Sequence, residues 1–497
     1  MNKSNPKQYE VSFHILTPVH VGSGDEIDPF SYIIRDGHLH IINLIDWIAD
    51  YPEKEELLSL MEKDSFSAIR TFIAKNYTTG SYDKVSIPVD SSKLFEDYEK
   101  AIKLQNAANQ VLVNSMTRNE IDGYAYIPGS SIKGAIRTAI ANRFVKQAGV
   151  KSADGQRRNW ETKIFGQIKD DPLRYLRLSD ISLKEHGTCI VEAKEYTNNK
   201  DKSLTPKGSK ECAVSLCRNL EPIKYNTRLT LEPENIMQLK IFNTKIDVNF
   251  LIESLNSFYV PKYIEEYKTF YKDVSEEVED AIAPASLAVA CLKPNEALIR
   301  VGQHSHVECM TLDNVRSPRV PRGKNWGTTR TLANGIYPFG WCKLEFNGIP
   351  SNEVDKNKHK AAILKNMPFT ANDLELRIQK LKEQKEKEKK QQEKEELDRQ
   401  EREKQRSIEE EKKRDFEAMT TEEQLLLKFS NNAVSDNEGN DIFNNIQNYA
   451  SDYRKRIAEA LKNYWQEKKQ WSKNDVSKKK WKTVRERNEI VEGIIAS

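Results

Sequence analysis

No stretch of this 497-residue chain approaches 18 consecutive apolar residues, so hydropathy offers no candidate membrane-spanning helix. The first residues, MNKSNPKQYEVSF, lack the apolar h-region of a secretory leader. The six cysteines include no CxxC pair, which argues against a disulfide framework and for reduced thiols. Net charge is only +3, so a polyanion partner would have to be met by a local basic face. We therefore expect a soluble cytoplasmic protein with no membrane association.

What is present begins with a mixed pattern. YEVSFHILT (9–17) alternates like a half-buried strand. SYIIRDGHLHII (31–42) reads as a hairpin, with Asp36 and Gly37 supplying the positive φ angles of its turn. NLIDWIAD (43–50) predicts a short helix with Asn43 as its cap. Residues 53–118 read as a mostly helical, polar insertion, and residues 248–283 as a second helical one. Strand character returns at 175–183, 228–242, 296–302 and 340–346. Strands and helices mixed without regular βαβ spacing predict an α+β fold.

From Glu375 to Asp415, 29 of 41 residues are charged, 15 basic and 14 acidic. Glu383/Lys387, Glu386/Lys390 and Glu395/Arg399 have the favourable i,i+4 order, and a solvated helical linker is expected. A helical module follows. Its last 47 residues carry 13 basic and seven acidic side chains, interleaved with Tyr453, Tyr464, Trp465, Trp471 and Trp481. Those rings can form the core of a small bundle or stack on nucleic-acid bases. The domain reading is a core over 1–350, a charged helical linker over 371–418 and a basic helical module over 419–497.

The densest motif is YIPGSSIKGAIRTAIANRF (126–144). Gly129 and Gly134 have the spacing of a phosphate loop, but Ala135 stands where its lysine belongs, so nucleotide hydrolysis is not supported. Ser130-x-x-Lys133 fits a serine–lysine acyl pair, and SDN occurs at 435–437, but no KTG follows. There remains a helix whose Ile132, Ala135, Ile136, Ala139 and Ile140 share one face. Ser130 or Ser131 is expected to cap it. Lys133 and Arg137 flank the apolar face and Gly134 lies opposite it. Free N–H groups, the positive end of the dipole and two cations suit a phosphate. An ordinary capped core helix fits equally well on these grounds.

PGSSIKGAIRTAI resembles the signature helix of the RAMP proteins of CRISPR–Cas effector complexes. LTPVHVGSGDEIDPFSYIIRDGHLHIINL (16–44) is similar to the N-terminal segment of the type III-A (Csm) subunit group that caps the crRNA 3′ end. IFG (164–166), YLRLSD (175–180) and YPFGWCKLEF (337–346) resemble later landmarks, so the resemblance covers about residues 8–350. It implies an RNA-recognition (ferredoxin-like) RAMP core with helical insertions, and a non-catalytic crRNA-binding subunit of an antiviral ribonucleoprotein. Its partners would be crRNA, the other Csm subunits and target RNA reached through the complex. It implies no cofactor. The RNA-binding positions it implies are Ser130, Ser131, Lys133, Gly134 and Arg137, with His20 and a loop of Gly22, Ser23, Gly24 and Asp25. Of the family's late glycine-rich loop, RVGQHSHVECM (300–310) keeps only Gly302, which puts RNA contact there in doubt.

Two rivals stand beside this reading. Asp28 occupies a position similar to the target-cleaving aspartate of related backbone subunits, which suggests a metal-dependent ribonuclease; Asp28-Pro29 is also simply a turn. A protein–protein adaptor acting through the C-terminal module is the other. His38 and His40 should share one side of the hairpin, with no carboxylate at ligand spacing. His304, His306 and Cys309 could begin a zinc site that lacks an evident fourth ligand, and Cys212 and Cys217 are expected to be buried. No metal is expected.

Overall fold

The computed structural model of the chain describes residues 5–52, 54–62, 66–104, 111–151, 157–197, 203–233, 236–272, 275–313, 315, 327–349 and 367–497. The chain divides into two units, Met1–Lys385 and Glu386–Ser497.

The first unit is α+β, as the mixed pattern predicts. One antiparallel sheet runs in the order Glu296–Arg300, Trp341–Phe346, Lys7–Ile15, Lys224–Leu231, Leu176–Leu178. Lys7–Ile15 lies in the middle, with Phe13 opposite Tyr225 on one side and Leu344 on the other. Two helices complete this layer of the core, Gly129–Phe144 and Val248–Glu266. Phe13, Leu298, Leu344, Ile132, Ile140, Leu255 and Tyr259 are all essentially inaccessible.

Val248–Glu266 is not an insertion. Fourteen of its 19 residues are buried, including polar ones such as Asn256, which accepts the Leu298 N–H at 2.8 Å and donates to Glu296 O at 2.9 Å. A helix apolar around most of its circumference is a core element, covered on more than one side.

The second sheet corrects the other expected insertion. Its path is Gly22–Ile27, Val113–Met116, Leu204–Ala213, Thr188–Thr197, Asp83–Asp90, His38–Ile42, Tyr32–Arg35, with Thr329–Ala333 and Tyr337–Pro338 attached beside Thr188–Thr197. Residues 53–118 contribute the two strands Asp83–Asp90 and Val113–Met116 to it, along with the helices Lys54–Glu62, Phe66–Asn76 and Ser92–Leu104. In DKVSIPVD, three β-branched residues alternate with a serine and a proline between charged ends. The pattern is too short to stand out, and distant partners supply its ladder: Ile87 opposite Leu39 and Val89 opposite Ile190. The hairpin itself forms as read, with φ of 49° at Asp36 and 79° at Gly37. Asn43 precedes the helix Leu44–Asp50, but its amide donates to Asp46 and caps no backbone group.

The 48-residue helix Ala371–Ala418 begins in the first unit, where Arg377 pairs with Asp280 and Glu279 at 2.6 and 3.0 Å. Further along its charges are exposed and pair along the helix: Glu386 with Lys390, Arg399 with Glu403, Arg414 with Glu410. Glu383 and Glu395 instead accept from Gln379 and Gln391 one turn earlier.

In the second unit, helices Thr421–Ser430, Asp436–Asn444, Ser451–Glu467 and Lys478–Ala496 surround Trp465, Ile457, Leu461 and Val491. Trp465 is buried, with the Arg487 guanidinium 3.7 Å above its ring. Trp471, Trp481 and Tyr453 are half-buried. The SDN tripeptide is a helix start: Ser435 and Glu438 form a reciprocal capping box. Among the described residues no helix is long and apolar enough to cross a membrane.

Candidate nucleic-acid interface

The helix Gly129–Phe144 is phased as its sequence predicts. Ile132, Ile136, Ala139 and Ile140 are buried, largely against Val248–Glu266, while Gly134 is exposed with open space where a Cβ would go. Its start differs from expectation. Pro128 occupies the cap position, and neither Ser130 nor Ser131 caps through its side chain. Asp180, 51 residues away, accepts the Gly129 N–H at 2.7 Å. Gly129 is required by close approach, since a Cβ there would lie 2.2 Å from Leu178 O. The strand end carrying Leu178 to Asp180 therefore both crowds and caps the helix.

The two cations of this helix have different surroundings. Arg137 is tied down: its guanidinium meets Asp171 at 2.5 Å and Glu161 at 4.0 Å, and lies 3.9 Å above the Phe165 ring. That makes it a clamp between helix and neighbouring turn, and a partly compensated charge. Lys133 forms no ion pair with a described residue; desolvation lowers its pKa against the opposing pull of Asp171.

Beside the helix lies a cavity of about 580 Å³. Ser131, Gly134, Ala135 and Thr138 form one wall. His20, Gly22, Gly24 and Asp25 form a second, Asn114 and Ser115 a third, and Gly302 and Gln303 a fourth. The fold thus brings together His20, Gly22, Gly24, Ser131 and Gly134 from motifs more than a hundred residues apart. Ser23, Ser130, Lys133 and Arg137 lie outside the lining. Gly302, whose loop the sequence left in doubt, is a wall residue. Its φ is +90°, and a Cβ would sit 2.4 Å from His20 O. Gln303 N–H donates to that same carbonyl at 2.8 Å.

His20 is a scaffold rather than a charged contact. It is 2% exposed, its Nδ1–H donates to Glu211 O at 2.6 Å, and burial pushes its pKa down to about 4. The neutral ring packs under Gly22, whose Cβ would lie 2.7 Å from Nε2. From Gly22 to Glu26 the edge strand bulges: these two residues face Met116 and Asn114, so Ser23, Gly24 and Asp25 project as an exposed loop.

Sequence reading missed Lys210, Asn114 and Gln303. Lys210 is 5% exposed, and its ammonium donates to Asn114 Oδ1 at 2.6 Å and Gln303 Oε1 at 3.2 Å. LTPKGSKECA marks no single lysine as buried, so no local signal identifies it.

Asp28 Oδ1 accepts the Phe30 N–H at 2.9 Å and its carbonyl accepts the Ser31 N–H, an Asx turn on the surface. His38 and His40 do share a side, with ring centroids 6.1 Å apart. A carboxylate does reach one of them, from a distant strand: His40 Nδ1 lies 2.9 Å from Asp83 Oδ2, and Tyr77 donates to Asp83 Oδ1 at 2.7 Å. His304 packs on Phe339, and His306 Nε2 accepts the Thr331 N–H. Burial together with Arg300 and Arg330 pushes His306 down to about 2, and burial pushes the Cys309 thiol up to about 11. Among the described residues no three His, Cys, Asp or Glu side chains form a metal-holding group. Cys212 and Cys217 are buried; Cys212 Sγ lies 3.7 Å from Cys189 Sγ across the sheet.

Comparison with solved structures finds a likeness of fold. A chain of the "Cryo-EM structure of Csm-crRNA-target RNA ternary complex in type III-A CRISPR-Cas system" is 19% identical, with a TM-score of 0.50, covering 68% of this chain and all of that one. The "Crystal structure of T.onnurineus Csm5" is 19% identical with a TM-score of 0.47, covering 67% of this chain and 99% of that one. Among curated proteins, the "CRISPR system Cms protein Csm5" of Methanocaldococcus jannaschii is 28% identical over 213 residues. That match takes in 40% of this chain and spans about half, 48%, of the relative's length. The model described as the RAMP superfamily matches residues 12–490, nearly the whole chain, and the protein belongs to that superfamily.

Proposed function

We propose that this chain is a non-catalytic crRNA-binding subunit of a type III-A CRISPR interference ribonucleoprotein. It docks at the 3′ portion of the crRNA and on the backbone subunits beside it, in the cytoplasm. The observation that carries this reading is the cavity where the signature helix, the Gly22–Asp25 bulge and the Gly302 loop converge. Beside Tyr259, Arg300 and Met310, its walls hold Gly22, Gly24, Gly134, Gly302 and small polar residues, where backbone N–H groups and hydroxyls can approach a sugar–phosphate chain closely. The relative's name and the type III-A complex containing a chain of similar fold support the same assignment.

The sheet order supports the finer fold reading. Taking Lys7–Ile15, Leu176–Leu178, Lys224–Leu231 and Trp341–Phe346 as strands one to four gives the order 4-1-3-2. Gly129–Phe144 follows strand one and Val248–Glu266 follows strand three. That is the β-α-β-β-α-β arrangement of a ferredoxin-like core, with Glu296–Arg300 added at one edge.

Expression with the neighbouring subunits tests the assignment. The assembly should carry short RNA of uniform length. An assembly that forms without RNA overturns the reading. Incubating it with labelled RNA and Mg²⁺ tests the ribonuclease alternative, which requires cutting that disappears in Asp28→Ala.

A further inference from the structure

We infer that Lys210 is a phosphate anchor of this cavity, its buried ammonium compensated by the backbone of the RNA that lies there. This rests on the RNA-binding reading and names a cation within it that neither motif contains.

An ammonium has three donors and no acceptor. Two of those of Lys210 are used, on Asn114 Oδ1 and Gln303 Oε1. Both amides are cavity-wall residues, one on the strand Val113–Met116 and one in the Gly302 loop. The ammonium thus bridges two walls from behind. Neither acceptor carries charge, and Lys210 forms no ion pair with a described carboxylate.

The acids nearby are committed elsewhere. Glu211, the next residue, accepts from Arg118, Thr188 and the Met116 N–H. Glu26 accepts the Asn114 amide at 3.1 Å and reaches Lys210 only through space. Asp25 lines the cavity on the exposed bulge. The nearby histidines, His20 and His304, are held neutral by burial, and Lys210 contributes to holding them so. Burying a charge without a counterion is unfavourable. Lys210 does not itself line the cavity; its ammonium stands behind the Asn114 and Gln303 amides, and a phosphodiester in the cavity supplies the missing negative charge across them.

The test uses the full chain and a fluorescein-labelled single-stranded RNA of mixed sequence, titrated by anisotropy across a salt series. Parent and Lys210→Met are compared, with Lys210→Gln as a second variant; each is also melted without RNA. The expected result is binding about tenfold weaker at moderate salt, with a log Kd against log salt slope shallower by about 0.7. Without RNA, both variants should melt no lower than the parent. A variant slope equal to the parent's overturns the inference and leaves RNA binding standing. Variants that melt well below the parent without RNA also overturn it, because the ammonium is then a strap between Asn114 and Gln303. Inorganic phosphate at matched ionic strength should shift parent and variants alike; raising the parent alone assigns the cavity to free phosphate instead. A parent that does not bind RNA overturns both readings.

Discussion

Among the buried cations of the first unit, the Arg300–Arg330 pair and Lys210 differ in what faces them. Arg300 and Arg330 are essentially inaccessible, and both have carboxylates. Arg300 meets Glu266 and the Phe339 carbonyl, and Arg330 lies 3.5 Å from Glu266 and 3.3 Å from Glu308. The Tyr271 hydroxyl also donates to Glu266. Lys210 has two amide oxygens. The first group joins the helix Val248–Glu266 to the strands Glu296–Arg300 and Thr329–Ala333 and sets carboxylates against its charges. The second has a charge with no paired carboxylate, behind two walls of a cavity. Charges balanced within the chain belong to the fold; on the RNA-binding reading, the unbalanced one is where a partner enters.

The largest effect should come from breaking the first group. Arg300→Met leaves Glu266 buried with only Arg330 opposite, and should cost about 3–5 kcal/mol in urea unfolding. A loss under about 1 kcal/mol would mean the cluster is not what holds these elements together. Next, Gly302→Ala forces a Cβ against His20 O at a positive φ, and should cost about 1–3 kcal/mol while opening the cavity wall.

Acid separates the histidines from Glu266 by pH. Burial pushes His20 and His304 each down to about 4, and burial with Arg300 and Arg330 pushes His306 down to about 2, all below the 6.5 of the unfolded chain. Below 6.5 the unfolded state binds more protons, so stability falls as pH drops from there towards 4. Burial alone would raise the Glu266 pKa, but Arg300 and Arg330 outweigh it and hold it at about 2. Its contribution is present above 4.5 and lost only as pH falls from there towards 2. Urea midpoints taken from pH 7.5 down to 5 should therefore decline with the Glu266 cluster intact. Flat midpoints across that range would mean the histidines are not held neutral.

Smaller still, Gly134→Ala should stabilise the free protein by about 0.5–1 kcal/mol, because nothing occupies the space where its Cβ would go. It should weaken RNA binding at the same time, since the methyl group enters the cavity. Lys210→Met should change the stability of the free protein least, by less than about 1 kcal/mol.

What was legible in the sequence was local. The hairpin at 32–42 needs only a two-residue turn with positive φ between β-rich runs, and Asp36-Gly37 encodes it. The phasing of Ile132, Ile136 and Ile140 follows from the helical repeat, which also put Gly134 on the outer side. The cap of that helix was not legible: a serine in the first turn is a good local guess, but Asp180 reaches the Gly129 N–H from a strand end. Nor was the commitment of Arg137, because Asp171 and Phe165 arrive from other elements. Residues 53–118 misled for the same reason, as their two strands are completed by ladders to distant segments.

The sequence by itself determined the helix and the turn, because these depend on neighbours along the chain, and its motifs carried the family resemblance. Only the tertiary structure decided which charges are balanced. Lys133, Arg137, Lys210 and Arg300 are alike as cations in the sequence. Their difference lies in whether a carboxylate, an aromatic face, an amide or open space stands within a few ångströms, and chain packing alone sets that distance.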